Sequence, residues 1–425
     1  MPKKLRRRGP TVFHKKKVTK KKVFLGILSF LAVAGIVVAG GYLWGKFMME
    51  GFPTLGPNES APSSSGSVST GQDASGPESV PSPSPSSVPD NRPSPAAGQW
   101  KAIYLPSSAL ADTAALDSTL EGAAAAGLNA VVFDLKGEDG ILRYASETEL
   151  AQQSQAIAAD ALSLDSLKTA LQHIADKGFT AIPRLFAFRD ATAPRNLPAA
   201  KITVEGEPTY TWYDGNPQSG GKPWLNPYAP DAHRYLTELA KELRQAGAAV
   251  LLLDGVQFPT QESKASYGST ELSGLSRSGV LQTFVTAVSD AFEDGSVILS
   301  APGLSLFGDA TAPFGGNPLT FGAGVVAADI RPTVFGDTLP AGDTPLSSPA
   351  EHPYEAVKLA LSQLSLRIQL LDADNRPAVM PWLDAESYAS GQIRDQIRAV
   401  TDDGGDDASY ILYAADGVYD FTALR

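Results

Sequence analysis

The stretch AAVLLLDGVQFP, residues 248–259, decides the fold class. Six apolar residues run without interruption from Ala248, and Asp254 follows them. A run that is apolar on both faces is typical of a strand buried within a parallel sheet. The stretch NAVVFDLKGEDG, residues 129–140, has the same form, with apolar residues leading up to Asp134. We therefore expect two buried strands that each end in Asp, at the edge where β/α barrels place their chemistry.

From residue 100 onward, strand-like and helix-like segments alternate. Strands are expected at 100–106, 129–134, 179–188, 248–254, 296–303, 325–336, 378–384 and 409–416. Helices are expected at 113–126, 165–177, 231–245, 276–292, 354–371 and 390–401. This alternation predicts an α/β fold, a (β/α)8 TIM barrel over residues 100–425. An open doubly wound sheet is the alternative, but Pro106-Ser107-Ser108 is not the Gly-rich phosphate turn that it requires after its first strand.

The residue types exclude several classes of site. The chain has no cysteine, so disulfides and thiolate-bound metals are excluded. Its four histidines do not pair at the spacing of metal ligands, and no nucleotide-binding or G-x-S-x-G motif occurs. We expect neither a metal nor a cofactor.

Charge is distributed unevenly along the chain. Residues 1–22 contain eleven Lys and Arg and no acidic residue, so the rest carries −11 − 11 = −22. A strongly negative domain is not expected to bind nucleic acid. The basic block instead precedes residues 23–44, which contain no charge and are long enough to cross a bilayer as a helix.

The N-terminal part is predicted to attach the domain to a membrane. Basic residues remain on the cytoplasmic side, so we expect a single-pass protein of the cell membrane with an extracytoplasmic C-terminal domain. A cleaved signal peptide is the alternative for residues 23–44. Residues 53–99 contain ten Pro and thirteen Ser and no aromatic residue, which indicates a disordered stalk. The predicted organisation is a basic tail (1–22), a transmembrane helix (23–44), a linker (45–99) and the barrel (100–425).

Several motifs of the barrel, in order, resemble a known family. They are NAVVFDLK (129–136) followed by Asp139-Gly140, IPRLFAFRD (182–190), WLNPY (224–228), VLLLDGVQFP (250–259) and PWLD (381–384). The chain is similar in these motifs to the putative glycosyl hydrolase barrel family of unknown substrate, which is usually membrane-anchored. The resemblance implies a TIM barrel that hydrolyses glycosidic bonds.

Four positions depart from the family pattern. Gln257 stands where the family has Arg, and Pro302-Gly303 replaces an acidic residue near the end of the fifth strand. Phe335-Gly336 replaces a Tyr-Pro ending of the sixth strand, and Tyr413 replaces a Trp on the eighth. The departures at Gln257 and Pro302-Gly303 favour the alternative of a barrel that binds a glycan without cleaving it.

Glycoside hydrolysis commonly uses two carboxyl groups in different environments. Asp254 is the first catalytic candidate because of its position at a strand end, although an Asp there can also cap a turn. Asp384, at the end of the seventh strand, and Asp134 are the candidates for its partner. Asp134 could instead form a structural ion pair with Lys136.

Aromatic and planar polar side chains supply the candidates for sugar binding, because sugar rings stack on aromatic faces. The candidates are Arg184, Trp212, Trp224, Asn226, Tyr228, Gln257, Trp382 and Tyr413. Trp212 lies in a polar loop, which favours binding over core packing. For Trp224 and Trp382 both roles remain open. Arg184 interrupts an apolar strand, so we expect it to pair with an inward-facing Asp.

The sequence therefore predicts a membrane-anchored, extracytoplasmic glycoside hydrolase acting on a polysaccharide or cell-wall glycan. A non-catalytic glycan- or wall-binding barrel is the main alternative. A purely structural surface scaffold is the third.

Overall fold

A closed barrel of parallel strands forms the centre of the domain. The structure is a computed structural model that describes residues 99–340, 344–386 and 388–424. The barrel strands in that part are β1 (Lys101–Leu105), β2 (Ala130–Lys136), β3 (Thr180–Phe186), β4 (Val250–Asp254), β5 (Ser296–Pro302), β6 (Val325–Asp329), β7 (Ala378–Val379 and Trp382–Asp384) and β8 (Tyr410–Tyr413). Each strand pairs in parallel with the next, and β8 pairs with β1, so the sheet closes on itself. The predicted (β/α)8 fold is confirmed.

Helices surround the barrel. They include α1 (Thr113–Ala125), α2 (Leu164–Asp176), α3 (Pro230–Gln245), α4 (Arg277–Ala291), α5 (Pro353–Gln369) and α6 (Ser390–Gly404), together with shorter helices at Glu149–Ser154 and Gly303–Leu306. The side chains of Asp112, Ser163 and Ser276 accept hydrogen bonds from the first free backbone amides of α1, α2 and α4. Local capping chemistry thus sets where these helices begin.

Alternation along each strand separates two cores. In β4, Leu251 and Leu253 point outward into the core between strands and helices. Val250 and Leu252 point inward and pack in the barrel interior. Because successive side chains of a strand face opposite sides, Asp254 continues the inward row at the carboxyl end. The polar ends of the other strands reach the same mouth in the same way.

Two predicted strands differ from the observed ones at proline. The sixth strand ends at Asp329 instead of running to residue 336, and Pro332 begins a 3-10 turn, Pro332–Phe335. The seventh is interrupted between Val379 and Trp382, where Pro381 occurs. Proline has no amide hydrogen for the strand ladder, which accounts for the interruption.

Short strands also form in the loops between the predicted strands and helices. Leu142–Tyr144 and Ile157–Leu162 extend the sheet beside β2. A separate three-stranded sheet consists of Thr203–Val204, Glu207–Thr211 and Ala265–Ser266. Thr338–Leu339 pairs with Leu346–Ser347. The strands of two or three residues have too few positions for a recognisable alternation, and the longer strands Ile157–Leu162 and Glu207–Thr211 do not alternate buried with exposed residues.

The predicted membrane anchor lies outside the described residues, as do the basic tail and the linker as far as residue 98. Within the described part of the chain, no helix has the length and apolar character needed to cross a bilayer.

The segment after β8 stabilises the pairing of β8 with β1 that closes the barrel. The hydroxyl of Tyr419 donates a hydrogen bond to the carbonyl oxygen of Tyr104 on β1 at 2.7 Å and lies 3.0 Å from that of Leu412 on β8. It also accepts one from the amide of Ala414. One side chain therefore joins the first and last strands.

A buried ion pair connects β2 to the loop after β3. The ammonium of Lys136 lies 2.8 Å from the carboxylate of Asp190, and both side chains are 0% exposed. Lys136 also donates to the carbonyl oxygen of Phe186 at 2.6 Å, and Asp190 accepts from the amides of Thr192 and Ala193. The alternative in which Lys136 pairs with Asp134 is wrong, because a β-bulge between these two residues directs Lys136 toward Asp190.

We expect Lys136→Met to lower the free energy of unfolding by about 3–5 kcal/mol, because it leaves Asp190 as an uncompensated buried charge. Lys168→Met is the control, since it breaks an exposed pair with Asp165 and is expected to cost less than about 1 kcal/mol. Urea unfolding of both variants compares the two values. An equal loss of unfolding free energy in both variants would contradict a stabilising role for the buried pair of Lys136 and Asp190.

Candidate active site

Arg184 lies at the centre of the barrel mouth, between two carboxylates. It points inward from β3, and its side chain is 14% exposed. Its Nε and Nη2 donate to Oδ2 of Asp254 at 3.2 and 2.9 Å, and its Nη1 donates to Oδ1 of Asp134 at 3.4 Å. The expectation that an inward-facing Asp pairs with Arg184 is confirmed, with one Asp on each neighbouring strand.

The two carboxylates have different surroundings. Burial raises the pKa of Asp134, and the charge of Asp254 raises it further, while Arg184 and a hydrogen bond from the Tyr104 hydroxyl at 3.1 Å act in the opposite direction. Asp254 instead accepts a hydrogen bond from the amide of Gly255 at 2.7 Å, in addition to those from Arg184. Burial is thus the largest influence on the Asp134 carboxyl, and it favours the protonated form relative to an ordinary aspartate.

Aromatic rings hold the guanidinium of Arg184 in place. It lies 4.4 Å from the ring centroid of Phe186 and 4.9 Å from that of Trp382. Trp382 is buried, and its indole donates to the hydroxyl of Ser300 on β5 at 3.2 Å. Burial lowers the pKa of Arg184, but the charges of Asp254 and Asp134 outweigh that effect and raise it. Arg184 therefore remains charged, and Trp382 forms the floor beneath it.

A second ion pair lines the opposite side of the mouth. Arg331 donates to both carboxylate oxygens of Asp329 at 2.8 Å. The guanidinium of Arg331 lies 4.5 Å from the ring centroid of Tyr413. Around these groups is a cavity of about 360 Å³, which we call the mouth cavity. Its lining includes Asp134, Arg184, Asp254, Gln257, Pro302, Asp329, Arg331 and Tyr413.

Asp384 lies at the end of β7, but its side chain is only 3% exposed. Its carboxylate accepts hydrogen bonds from the hydroxyl of Thr333 at 2.6 Å and the amide of Glu386 at 3.1 Å. Gln396 of α6 binds both the amide and the carbonyl of the same residue. These contacts attach the end of β7 to the loop that follows it and to α6. Asp134 and Asp254 instead face the mouth.

The two tryptophans of the loop between β3 and α3 are buried. Trp212 is 4% exposed and packs with Ile202 and Trp224, so core packing explains it. The indole of Trp224 donates to Asp214 at 2.9 Å, and one edge of the residue lines a small cavity beside the mouth. Contrary to the preference for binding over packing, Trp212 is buried directly after the strand Glu207–Thr211, and its indole donates to the carbonyl oxygen of Ser263 at 2.8 Å.

Asn226 and Tyr228 also support the loop. The side chain of Asn226 donates to the carbonyl oxygen of Tyr267 and accepts from the amide of Tyr228, both at 2.9 Å. The hydroxyl of Tyr228 donates to the carbonyl oxygen of Leu275 at 3.3 Å, and its ring packs on Phe258. Their position in a family motif is thus explained by loop structure.

Three charged residues at the mouth were missed. Glu138 accepts hydrogen bonds from Arg189 at 2.7 Å and Lys222 at 3.5 Å. Glu138 lies within the stretch 129–140, but no strand end or periodicity distinguished it there. Lys222 is 84 residues away in the sequence, so only the folded chain brings the two together.

In the described ranges of the chain, no group of three or more His, Asp or Glu side chains is arranged to hold a metal ion. The chemistry available at the mouth is that of carboxyl, guanidinium, hydroxyl and amide groups.

Comparison with known families identifies the domain. A sequence model of the family described as "Putative glycosyl hydrolase domain" matches residues 102–419. Curated proteins give no match to the chain. The family match confirms the resemblance that the motifs indicate.

Solved structures with a similar fold have low sequence identity. A hypothetical protein from Ruminiclostridium thermocellum ATCC 27405 is 20% identical, with 46% of this chain and 96% of that one covered and a TM-score of 0.40. The chitobiase of Flavobacterium johnsoniae is 10% identical, with 76% of this chain covered and a TM-score of 0.47; the match spans 47% of the chitobiase chain, about half its length. The catalytic domain of a β-amylase from Paenibacillus polymyxa is 10% identical, with 76% and 94% covered and a TM-score of 0.46.

The raised pKa of Asp134 predicts a pH-dependent stability. Because the folded state holds this proton more tightly than the unfolded state, the contribution is fully present below the ordinary pKa of 3.8 and is lost as the pH rises through the folded pKa. We expect the free energy of unfolding of Asp134→Asn, relative to the unmodified protein, to increase as the pH rises from acid to neutral. Urea unfolding over that pH range measures it.

Asp134→Glu keeps a titrating carboxyl and is the matched control, expected to retain the pH dependence of the unmodified protein. A difference for Asp134→Asn that stays constant or falls with pH would contradict the predicted shift.

Proposed function

Because the chain belongs to the "Putative glycosyl hydrolase domain" family, we propose that its barrel hydrolyses a glycosidic bond of a polysaccharide or cell-wall glycan with Asp134 and Asp254. The observation that carries the proposal is that both carboxylates reach the barrel mouth and bind the same guanidinium, that of Arg184. The barrel mouth is where enzymes of this fold perform their chemistry.

The unequal surroundings of the two carboxyls support separate roles. Asp134, with its raised pKa, is the general acid that donates a proton to the bridging oxygen as the bond from that oxygen to the anomeric carbon breaks. Asp254 is the second carboxylate and acts as base or nucleophile. Water supplies the hydroxyl that joins the anomeric carbon. Arg184 orients Asp254 through two nitrogen atoms, and the Tyr104 hydroxyl orients Asp134.

The remaining residues of the mouth suit sugar recognition. Gln257 offers an amide that can both donate to and accept from sugar hydroxyls, and Tyr413 offers a ring face and a hydroxyl. Trp382 acts through Arg184, because it supports the guanidinium from below. Trp212, Asn226 and Tyr228 act as supports of the loop.

A barrel that binds a glycan without cleaving it is the second candidate. Two observations favour it: Arg184 binds both carboxylates at once, and Pro302 lines the mouth where the family resemblance implies an acid. Binding without the release of new reducing ends would support this candidate.

The proposal includes the membrane anchor predicted for residues 23–44. The support for it is the uncharged run of 22 residues after eleven basic ones. It would hold the barrel on the extracytoplasmic side, near a cell-wall glycan.

We expect Asp254→Asn and Asp134→Asn each to lower turnover by about 10²–10⁴-fold, since each removes one of the two groups that transfer protons or charge. Purified residues 99–425 are incubated with bacterial peptidoglycan, chitin, starch and β-mannan, and new reducing ends are measured. Asp384→Asn is the control, expected to change turnover less than tenfold because Asp384 binds Thr333 and Glu386. Activity lost with Asp384→Asn and kept with Asp134→Asn would assign the second role to Asp384.

The topology can be measured by cysteine labelling, because the chain has no native cysteine. In intact bacteria that express the full chain, a membrane-impermeant maleimide is expected to label Leu370→Cys, a highly exposed position of the barrel domain. Thr11→Cys is expected to react only after the cells are permeabilised. Labelling of both positions in intact cells, or of neither, would contradict the proposed topology.

A further inference from the structure

Two cavities adjoin the mouth cavity at the carboxyl edge of the barrel. The large one, of about 780 Å³, lies between the loops after β1 and β2 and the strand Ile157–Leu162. The small one, of about 210 Å³, lies between the loops after β3 and β4 and includes Lys222 and Trp224. They flank the loop after β2 on opposite sides.

Shared residues join these cavities into one groove. Glu138 lines all three of them, and Lys222 lines the large and the small cavity. Asp134 lines the large and the mouth cavity, while Arg189 lines the small and the mouth cavity. The three cavities are therefore adjacent, and Glu138 lies where they meet.

The ion pairs at the junction differ from the fixed pairs below it. Glu138 is 37% exposed, and Arg189 and Lys222 are 42% and 49% exposed. Exposed ion pairs contribute little to the free energy of folding. Their polar atoms can therefore give up the contacts with one another and bind a ligand instead, at a small cost in free energy. Lys136 and Asp190, by contrast, are fully buried a short distance away along the same two loops.

The shape of the groove bears on the kind of substrate. Pockets for small ligands usually measure about 300–1,000 Å³, so the large cavity alone has room for a ligand beyond the unit held at the mouth. A site that binds the end of a glycan chain is closed on one side. This groove instead continues on both sides of Glu138. Charged side chains such as Glu138, Arg189 and Lys222 are part of the lining, which suits sugar hydroxyls.

We propose that Glu138, together with Arg189 and Lys222, binds sugar units at the centre of a groove that accepts an internal segment of a glycan chain. The inference rests on the proposed function and adds the substrate class, a polymer bound and cut within the chain. Glu138 is a binding residue that contacts the units beyond those held at the mouth, and Asp134 and Asp254 remain the catalytic pair.

Binding to oligosaccharides of increasing length tests the proposal. Ladders of two to eight units from chitin, β-mannan, starch and peptidoglycan are titrated calorimetrically into residues 99–425. We expect at least one ladder to bind, with an affinity that rises about tenfold or more from the dimer to the hexamer, because longer chains fill the flanking cavities. No binding by any ladder, or equal affinity for the dimer and the hexamer, would overturn the groove.

Glu138→Gln tests the junction itself. It keeps the size of the side chain but loses the charge that holds Arg189 and Lys222, so we expect affinity for the hexamer to fall about tenfold and that for the dimer to change less than twofold. Asp165→Asn, which alters an exposed pair on α2, is the matched control and should change neither. An equal loss for both lengths, or no loss, would contradict the assigned role of Glu138.

Product analysis separates this inference from the proposed function. Internal cutting of a labelled hexamer is expected to release fragments of two to four units first. Length-dependent binding without cleavage would refute hydrolysis and leave the groove intact. Cleavage that releases only single units from a chain end, with affinity independent of length, would refute the groove and leave hydrolysis intact.

Discussion

The charge of Arg184 in the barrel interior is the constraint on which the mouth depends. A guanidinium among apolar side chains is stable only when carboxylates compensate it. Register decides which ones do: Asp134 is the neighbour of Arg184 on β2, and Asp254 is the neighbour of Phe186 on β4. Because side chains along a strand point alternately into and out of the barrel, Arg184, Asp134 and Asp254 all point into the barrel mouth. The inward-facing apolar side chains below them fill the barrel interior.

The sequence predicted the features that follow from periodicity within a strand. The eight strands, the inward position of Asp254 and the need of Arg184 for an acidic partner all depend on local patterns. Asp190 was not recognised as the partner of Lys136, because a bulge in β2 changes which way Lys136 points. Trp212 was misjudged because its burial depends on a short sheet that joins residues about 60 positions apart. Glu138 was missed because Lys222, from a distant loop, completes its surroundings.

Exposure divides the charged pairs of the domain into two kinds. Lys136 and Asp190 are enclosed and carry backbone contacts, so they act as part of the frame. Glu138, Arg189 and Lys222 are open to solvent and can exchange their partners. Lys136 and Asp190 lie two residues before Glu138 and one residue after Arg189, respectively, which places exchangeable polar groups next to a buried ion pair.

The bonds of Tyr419 have a consequence for how the chain reaches its folded state. Tyr419 and Tyr104, which it joins, are 315 residues apart in sequence. Until β8, which ends at Tyr413, has been synthesised, β1 lacks one of its two neighbours and presents an unpaired edge. Ring closure is therefore a late event during translation, and contacts between such distant segments form slowly.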